Sequence, residues 1–466
     1  MVRARLASIL VLISAAAIGC NDSDRSSDGA DTGINSAADE QGTDGAEAND
    51  DNTTTNGGDG DGDPTAGDGD GDPTTTGDGD GDDGNDESST KWDLNAIPDN
   101  GGFNCGGGGG GNMGEPEFSF LWAANSAEGT ISKIDTETVQ EMGRFRVRPD
   151  GAGSPSRTSV SLSGHVAVAS REGGVTKFYA TEEFCEESNG IPGIQTSINN
   201  VALAWDQEEC RAWHTPFGYS SQRPVAWAPG TFNAGTCEWE DEMVWTAGRV
   251  GQGGDQVILL DGETGEIVEM VDVPGLKPDP YGIYGAAVDA EGNFWGTGWA
   301  SGNHLVRVEK DTMEVTVWPG PTQSTGFDSH WYGMTVDVDG YVWNCASRVA
   351  RFDPVTEQWA VSDELGTWTA GCMADAQEGG LLWLGSAGVR GLDRQTMQVI
   401  YNWPTPDSYG VSIDHAGYVW AVNGSGAHRV DPMNGTVTSY NGLVGAYTYS
   451  DMTGAALYAV GGQPSG

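Results

Sequence analysis

Positive charge is scarce in this chain. Its 466 residues hold 22 Lys and Arg against 69 Asp and Glu, a formal net charge of -47. Such a surface repels phosphate backbones, so DNA and RNA are excluded as partners, and anionic lipid headgroups are repelled with them. Long apolar runs are missing apart from one at the very start, and helical periodicity persists nowhere. Cysteine is sparse, seven in all, with no two at the close spacing of a zinc site or a redox pair. Histidine numbers six, and no Ser-His-Asp or Cys-His arrangement follows from their spacing. No glycine-rich loop opens a helix, which removes the phosphate cradle of nucleotide-binding proteins.

The one apolar run is residues 1–20, "MVRARLASILVLISAAAIGC". Basic Arg3 and Arg5, a short apolar core and small residues before a cysteine make a bacterial export signal. The run is too short to remain as a membrane-spanning helix. Its ending resembles a lipobox, in which Cys20 is lipidated and becomes the first mature residue. Acyl chains there would hold the protein at a membrane, each buried methylene contributing about 0.8 kcal/mol. The expected location is the cell envelope, at the outer membrane or cell surface, with the leaflet left open. Six cysteines remain: Cys105, Cys185, Cys210, Cys237, Cys345 and Cys372. An even number in an exported protein points to disulfides. Cys185 and Cys210 share one irregular insertion and are candidates for each other; the other pairings stay open.

Residues 21–113 are mostly Asp, Gly, Ser, Thr and Asn. That composition cannot bury enough apolar surface to offset its ordering entropy, which predicts a disordered acidic tether. "DGDGDPT" at Asp59 and Asp68, and "DGDGDD" at Asp78, imitate the start of a calcium loop. Pro64 and Pro73 stand where the turn glycine belongs, and no glutamate closes the site, so no specific metal site is expected. Gly106 to Gly111 form a last joint before the body, residues 114–460.

In the body, short Val, Ile and Trp runs are cut by Gly, Asp-Gly and Pro, the signature of an all-β fold. Three segments repeat: "YGAAVDAEGNFWGTGW" from Tyr284, "YGMTVDVDGYVWNCAS" from Tyr332 and "YGVSIDHAGYVWAVNG" from Tyr409. Each carries Asp, then Gly three residues on, then Trp three further: Asp289, Gly292, Trp295; Asp337, Gly340, Trp343; Asp414, Gly417, Trp420. A variant from Ala370 ends at Trp383. Each is followed by two more runs around a turn that begins at an acidic residue. One unit is therefore four antiparallel strands, the content of a β-propeller blade. Weaker units begin near Glu242 and Thr158, and residues 179–229 read as an irregular loop with an outer strand.

The first unit, "FSFLWAANSAEGTISKID" from Phe118, lacks its first strand, and the C-terminal "DMTGAAL" from Asp451 resembles a first strand with no successor. Pairing the two predicts a seven-bladed β-propeller of four-stranded antiparallel blades, closed by a C-terminal strand that completes the first blade and removes two exposed edges. The repeated Trp residues are expected to pack between blades. Asp135, Asp261, Asp353, Asp393 and Asp431 are expected to accept hydrogen bonds from turn amides.

The repeats resemble the streptogramin (virginiamycin) B lyase family, and also NHL and quinoprotein-like repeats. The tethered, exported form resembles a group of myxobacterial surface lipoproteins. The lyase resemblance implies proton abstraction beside a ring ester of a cyclic depsipeptide, with magnesium and a catalytic histidine. At the matching positions this chain has "DSHWYGM", with Tyr332 and Trp331 in place of the family's His and Pro. His330, two positions earlier, is the weak catalytic candidate. His165, His304 and His415 fall in or beside hairpin turns, where exposure is expected.

First-strand starts face the central channel, where propellers bind ligands. Tyr284, His330, Tyr332, Trp368, Tyr409 and Asp451 are the candidate ligand-binding residues, an aromatic mouth with little charge. The leading expectation is a lipid-anchored monomer, held to a membrane through Cys20, that binds a peptide, glycan or small cyclic ligand without catalysis. The alternative is a divergent carbon-oxygen lyase; a third is a structural or adhesive envelope protein. No cofactor is expected, magnesium entering only with the lyase.

Overall fold

The computed structural model describes residues 119–251, 254–276, 281–298, 304–321, 331–367, 369–449 and 451–462. The expectations for residues 1–20 and 21–113, and for Cys20, Cys105, His330 and Trp368, fall outside these. The described chain forms seven antiparallel blade sheets and one separate two-stranded hairpin. Blade 1 has three strands, Phe120–Asn125, Thr130–Asp135 and Gln140–Arg146. Blade 2 runs Pro155–Val160, Val166–Ser170, Val175–Phe178 and Arg211–Thr215. Blade 3 runs Ser221–Ala228, Met243–Arg249, Asp255–Asp261 and Ile267–Val273. Blades 4 to 7 open with Ile283–Val288, Gly333–Val336, Cys372–Ala374 and Gly410–Ile413, each followed by three more strands. The opening strands of successive blades lie side by side around a central channel. This is a seven-bladed β-propeller.

Blade 3 departs from the sequence reading. Arg211–Thr215 is the expected outer strand of the insertion, but Ser221–Ala228, inside the supposed loop, is the innermost strand of blade 3. It lacks the Tyr-Gly start of the other repeats, so nothing local marked it. An extra hairpin, Thr231–Asn233 with Glu238–Glu240, follows.

The tail fills the vacant inner position of blade 1. Asn125 bridges Ala446, the Tyr447 amide donates to the Ala124 carbonyl at 3.0 Å, and the Trp122 amide donates to the Met452 carbonyl at 2.9 Å. The ring closes, though through a loosely paired segment rather than a regular strand. "DMTGAAL" ends not as a strand but in a helix, Ala455–Gly461. The Asp451 carboxylate accepts the amides of Gly454 at 2.9 Å and Leu457 at 3.0 Å, turning the backbone into a run of good helix formers. This helix lies across one end of the channel. With Ser159, Ala226, Ala286, Met334 and Met373 from five blades it encloses a cavity of about 40 Å³, room for little more than a water.

The repeat triad explains itself at atomic scale. Trp295, Trp343 and Trp420 donate their indole N–H to Asp289, Asp337 and Asp414 at 2.8, 2.7 and 2.7 Å. The other carboxylate oxygen takes the amide of Asn293, Tyr341 or Tyr418, each at 2.9 Å. Gly292, Gly340 and Gly417 turn the hairpin between them at φ 78°, 83° and 79°, values an L side chain rarely adopts. One aspartate thus fixes both the turn and the tryptophan's orientation. The rings then pack on the next blade: Trp295 against Met334 and Val336, Trp343 against Cys372 and Ala374, Trp383 against Val411 and Ile413, Trp420 against Leu121 and Ala123. Burying one indole contributes roughly 4–6 kcal/mol at most. The five turn aspartates accept turn amides as expected, for example Asp135 from Thr138 at 2.7 Å and Asp393 from Thr396 at 2.7 Å. Cys185 bonds Cys210, and Cys345 of blade 5 bonds Cys372 of blade 6; Cys237 is also disulfide-bonded.

Candidate functional site

The end of the channel away from the helix is built by the starts of the inner strands. Why each Tyr-Gly pair sits there follows from space. A Cβ on Gly333 would lie 2.5 Å from the Ala370 carbonyl oxygen, on Gly371 2.7 Å from that of Tyr409, and on Gly410 2.1 Å from that of Thr448. Neighbouring inner strands approach so closely that only glycine fits. The preceding residue is Tyr332 at Gly333 and Tyr409 at Gly410, and Ala370 at Gly371.

Tyr447, on the closing tail, is the hub. Its hydroxyl meets that of Tyr284 at 2.7 Å and that of Tyr449 at 2.9 Å, and it also bonds Tyr332. The rings of Tyr332 and Tyr449 lie 4.5 Å apart, those of Tyr284 and Tyr332 5.5 Å, and those of Tyr409 and Tyr447 5.7 Å. Tyr284 and Tyr332 are buried and Tyr409 is 41 % exposed. The structure therefore brings together Tyr284, Tyr332 and Tyr409 of the expected set. It does not bring Asp451 to them: that residue starts the helix and lines the small cavity at the other end.

The expectation of little charge at the mouth is corrected. Arg157 and Arg223 start the inner strands of blades 2 and 3, and Arg171 follows the second strand of blade 2. The Arg157 guanidinium stacks 3.3 Å from the Tyr449 ring centre and 4.9 Å from that of Tyr284. Arg223 lies 4.8 Å from both Tyr281 and Tyr284, and Arg171 lies 5.2 Å from Tyr447. Arg157 is fully buried and donates to the carbonyls of Ser156 at 3.0 Å and Tyr284 at 3.2 Å. Among the described residues no carboxylate pairs with any of the three. Asp255, against Gly282, is engaged by Arg249 at 3.2 Å.

These charges act on the phenols. Burial is the largest single effect on Tyr284 and opposes ionisation, yet Arg223 and Arg157 together hold its pKa below the ordinary value. Burial raises Tyr447 to about 12 and carries Tyr332 and Tyr449 well above the usual phenol range. The mouth thus sets three phenols held against ionisation and one, Tyr284, drawn toward it beside cations that no described carboxylate pairs.

The arginines went unread because they come from two blades and carry no local motif. Their signal was positional: Arg157 and Arg223 occupy the inner-strand start where other blades put tyrosine. His165, expected at an exposed turn, is buried, wedged against Tyr179 at 5.1 Å and Phe184 at 4.8 Å. Burial, with the nearby charge of Lys177, lowers its pKa to about 3, so it stays neutral.

No family model matches this chain, and no curated protein matches it. Solved structures of similar shape do exist. A protein of unknown function from Bacteroides caccae is 7 % identical with a TM-score of 0.40, the match covering 62 % of this chain and 94 % of that one. U3-55K is 11 % identical with a TM-score of 0.47, covering 66 % and 88 %. The RRP9 WD40 repeats are 12 % identical, also at 0.47, covering 66 % and 87 %.

Proposed function

We propose that this protein is an exported propeller, anchored at the envelope through a lipid on Cys20, that binds a peptide, glycan or small cyclic ligand at the tyrosine-lined mouth without catalysing a reaction. The observation that carries this is the cluster of hydroxyls and ring faces gathered around Tyr447 from three inner strands and the tail. Ring faces suit sugar and peptide planes, and the hydroxyls supply directional donors and acceptors. Disulfides at Cys185–Cys210 and Cys345–Cys372 agree with an oxidising compartment.

Peptide and glycan arrays probed with the full chain test the reading. Tyr409→Ala, at the exposed edge of the cluster, is expected to cut the bound signal about fivefold or more without changing Tm. An unchanged signal removes the mouth from the role. A streptogramin B-type depsipeptide incubated with the protein and magnesium is expected to remain cyclic. Linear product that is lost in His330→Ala would replace this reading with the lyase.

A further inference from the structure

The arginines at the junction of blades 2 and 3 are arranged in a way that the fold alone does not explain. Arg223 is 8 % exposed, its Nε is buried, and among the described residues its guanidinium donates no hydrogen bond. Arg157 behind it is fully buried, and its Nε is likewise without a partner. Arg171 is half-buried and donates only to Ser154. Burial and the like charge of Arg223 both lower the pKa of Arg171, so the two cations repel each other. A buried charged donor left unpaired costs on the order of 1–3 kcal/mol or more. Arg223 is such a donor, and Arg157 and Arg171 add their charge beside it in a protein whose net charge is -47. Carboxylates outnumber basic side chains 69 to 22 in the chain, yet among the described residues none pairs with these three.

The tyrosines compensate only in part. A ring face meets the face of a guanidinium, as Tyr281 and Tyr284 meet Arg223, and leaves the N–H donors in its plane unused, whereas Arg157 spends two of its five on the Ser156 and Tyr284 carbonyls and Arg171 two on Ser154. Those in-plane donors are the ones an oxyanion takes, two at a time. We propose that the mouth holds an oxyanion site at this junction. Arg223 and Arg171 grip a carboxylate, sulfate or phosphate group of the ligand, and Arg157 supplies charge from behind. This rests on the mouth being a ligand site and specifies its chemistry: a ligand that ends in, or presents, an acidic group. It also predicts a division of the mouth. The blade 2–3 side reads charge, and the Tyr332–Tyr409 side reads the neutral body of the ligand.

Calorimetric titration of the full chain with sodium sulfate, inorganic phosphate, D-glucuronate and, as the neutral counterpart, D-glucose tests the proposal. At least one anion is expected to bind with one-to-one stoichiometry, and whichever binds tells sulfate, phosphate and carboxylate apart. Glucose alone should not bind. Arg223→Gln and Arg171→Gln should each weaken the anion about tenfold or more, whereas Arg146→Gln, an exposed arginine on blade 1, should not. Thermal unfolding guards against a trivial loss of fold. With the repulsion relieved, the ligand-free Arg171→Gln protein should melt no lower than wild type, and the anion should raise Tm in wild type but not in the variant. If Arg171→Gln and Arg223→Gln destabilise the protein and leave anion affinity unchanged, the arginines serve the fold and the proposal is wrong. If no anion binds while array ligands still depend on Tyr409, the oxyanion site falls and the ligand-binding mouth stands. If neither binds, both fall.

Discussion

Asp414 shows how much one residue carries in this fold. It accepts Trp420 Nε1 at 2.7 Å and the amides of Tyr418 at 2.9 Å and Ala416 at 3.0 Å. Asp414→Ala would strand those donors in a buried hairpin and is expected to cost about 2–4 kcal/mol in a denaturant titration. Asp414→Asn keeps one acceptor and should cost less. The same carboxyl has its pKa raised to about 6 by burial, as does Asp375. A carboxyl whose folded pKa lies above its unfolded value binds more protons in the native state, so its contribution is complete below about 4 and is lost as pH rises through 6. Asp353 and Asp393, lowered by turn hydrogen bonds, act oppositely and lose their contribution as pH falls below about 4. Buried neutral His165, whose pKa is lowered from 6.5 to about 3, acts against Asp414 and Asp375 and loses stability as pH falls below about 6.5. The carboxyl is therefore read against a variant: from about pH 7 to 5 the Tm of the wild type should gain on that of Asp414→Asn, and a difference that stays constant would contradict the assignment. These local devices were legible in the sequence because each spans only a few residues. The Asp–Gly–Trp spacing is a hydrogen-bonded hairpin written into the chain.

At the scale of the element, the closing tail matters most. Ala446, Tyr447 and Met452 cover the Phe120–Asn125 edge, and the same tail delivers Tyr447 and Tyr449 to the mouth. Truncation after Val444 should expose that edge and drive association, seen as loss of the monomer peak in size-exclusion chromatography with light scattering. Truncation after Gly454 removes the helix alone and should leave a monomer with a lower Tm. A monomer from the shorter chain would mean that closure is dispensable. That the tail pairs with blade 1 was readable, since an orphan first strand and an incomplete first blade match. Its detail was not: "DMTGAAL" has the apolar pattern of a strand, and only the backbone hydrogen bonds taken by Asp451 turn it into a helix. The innermost strand of blade 3 was hidden for a related reason, because Ser221–Ala228 begins with "SQRP" rather than Tyr-Gly.

For the molecule as a whole, charge is divided between an acidic exterior and a cationic mouth. No motif in the sequence announces that division, because Arg157, Arg171 and Arg223 meet only when two blades pack. An anionic ligand approaching a chain of net charge -47 is repelled at long range and attracted only at contact. Screening should therefore speed its capture. Stopped-flow association rates for the anion that binds should rise between about 20 and 200 mM ionic strength, as the Debye length shrinks from roughly 20 to 7 Å. A rate that falls steeply with salt would mean that the cationic mouth, not the net charge of the chain, steers the anion in.

The helix at the far end has a consequence of its own. With Ala455–Gly461 stoppering one opening, the propeller is a cup and not a tunnel. Guests must come and go by the same door, and a chain-like guest can be sampled only by its tip or by a protruding branch, never threaded through.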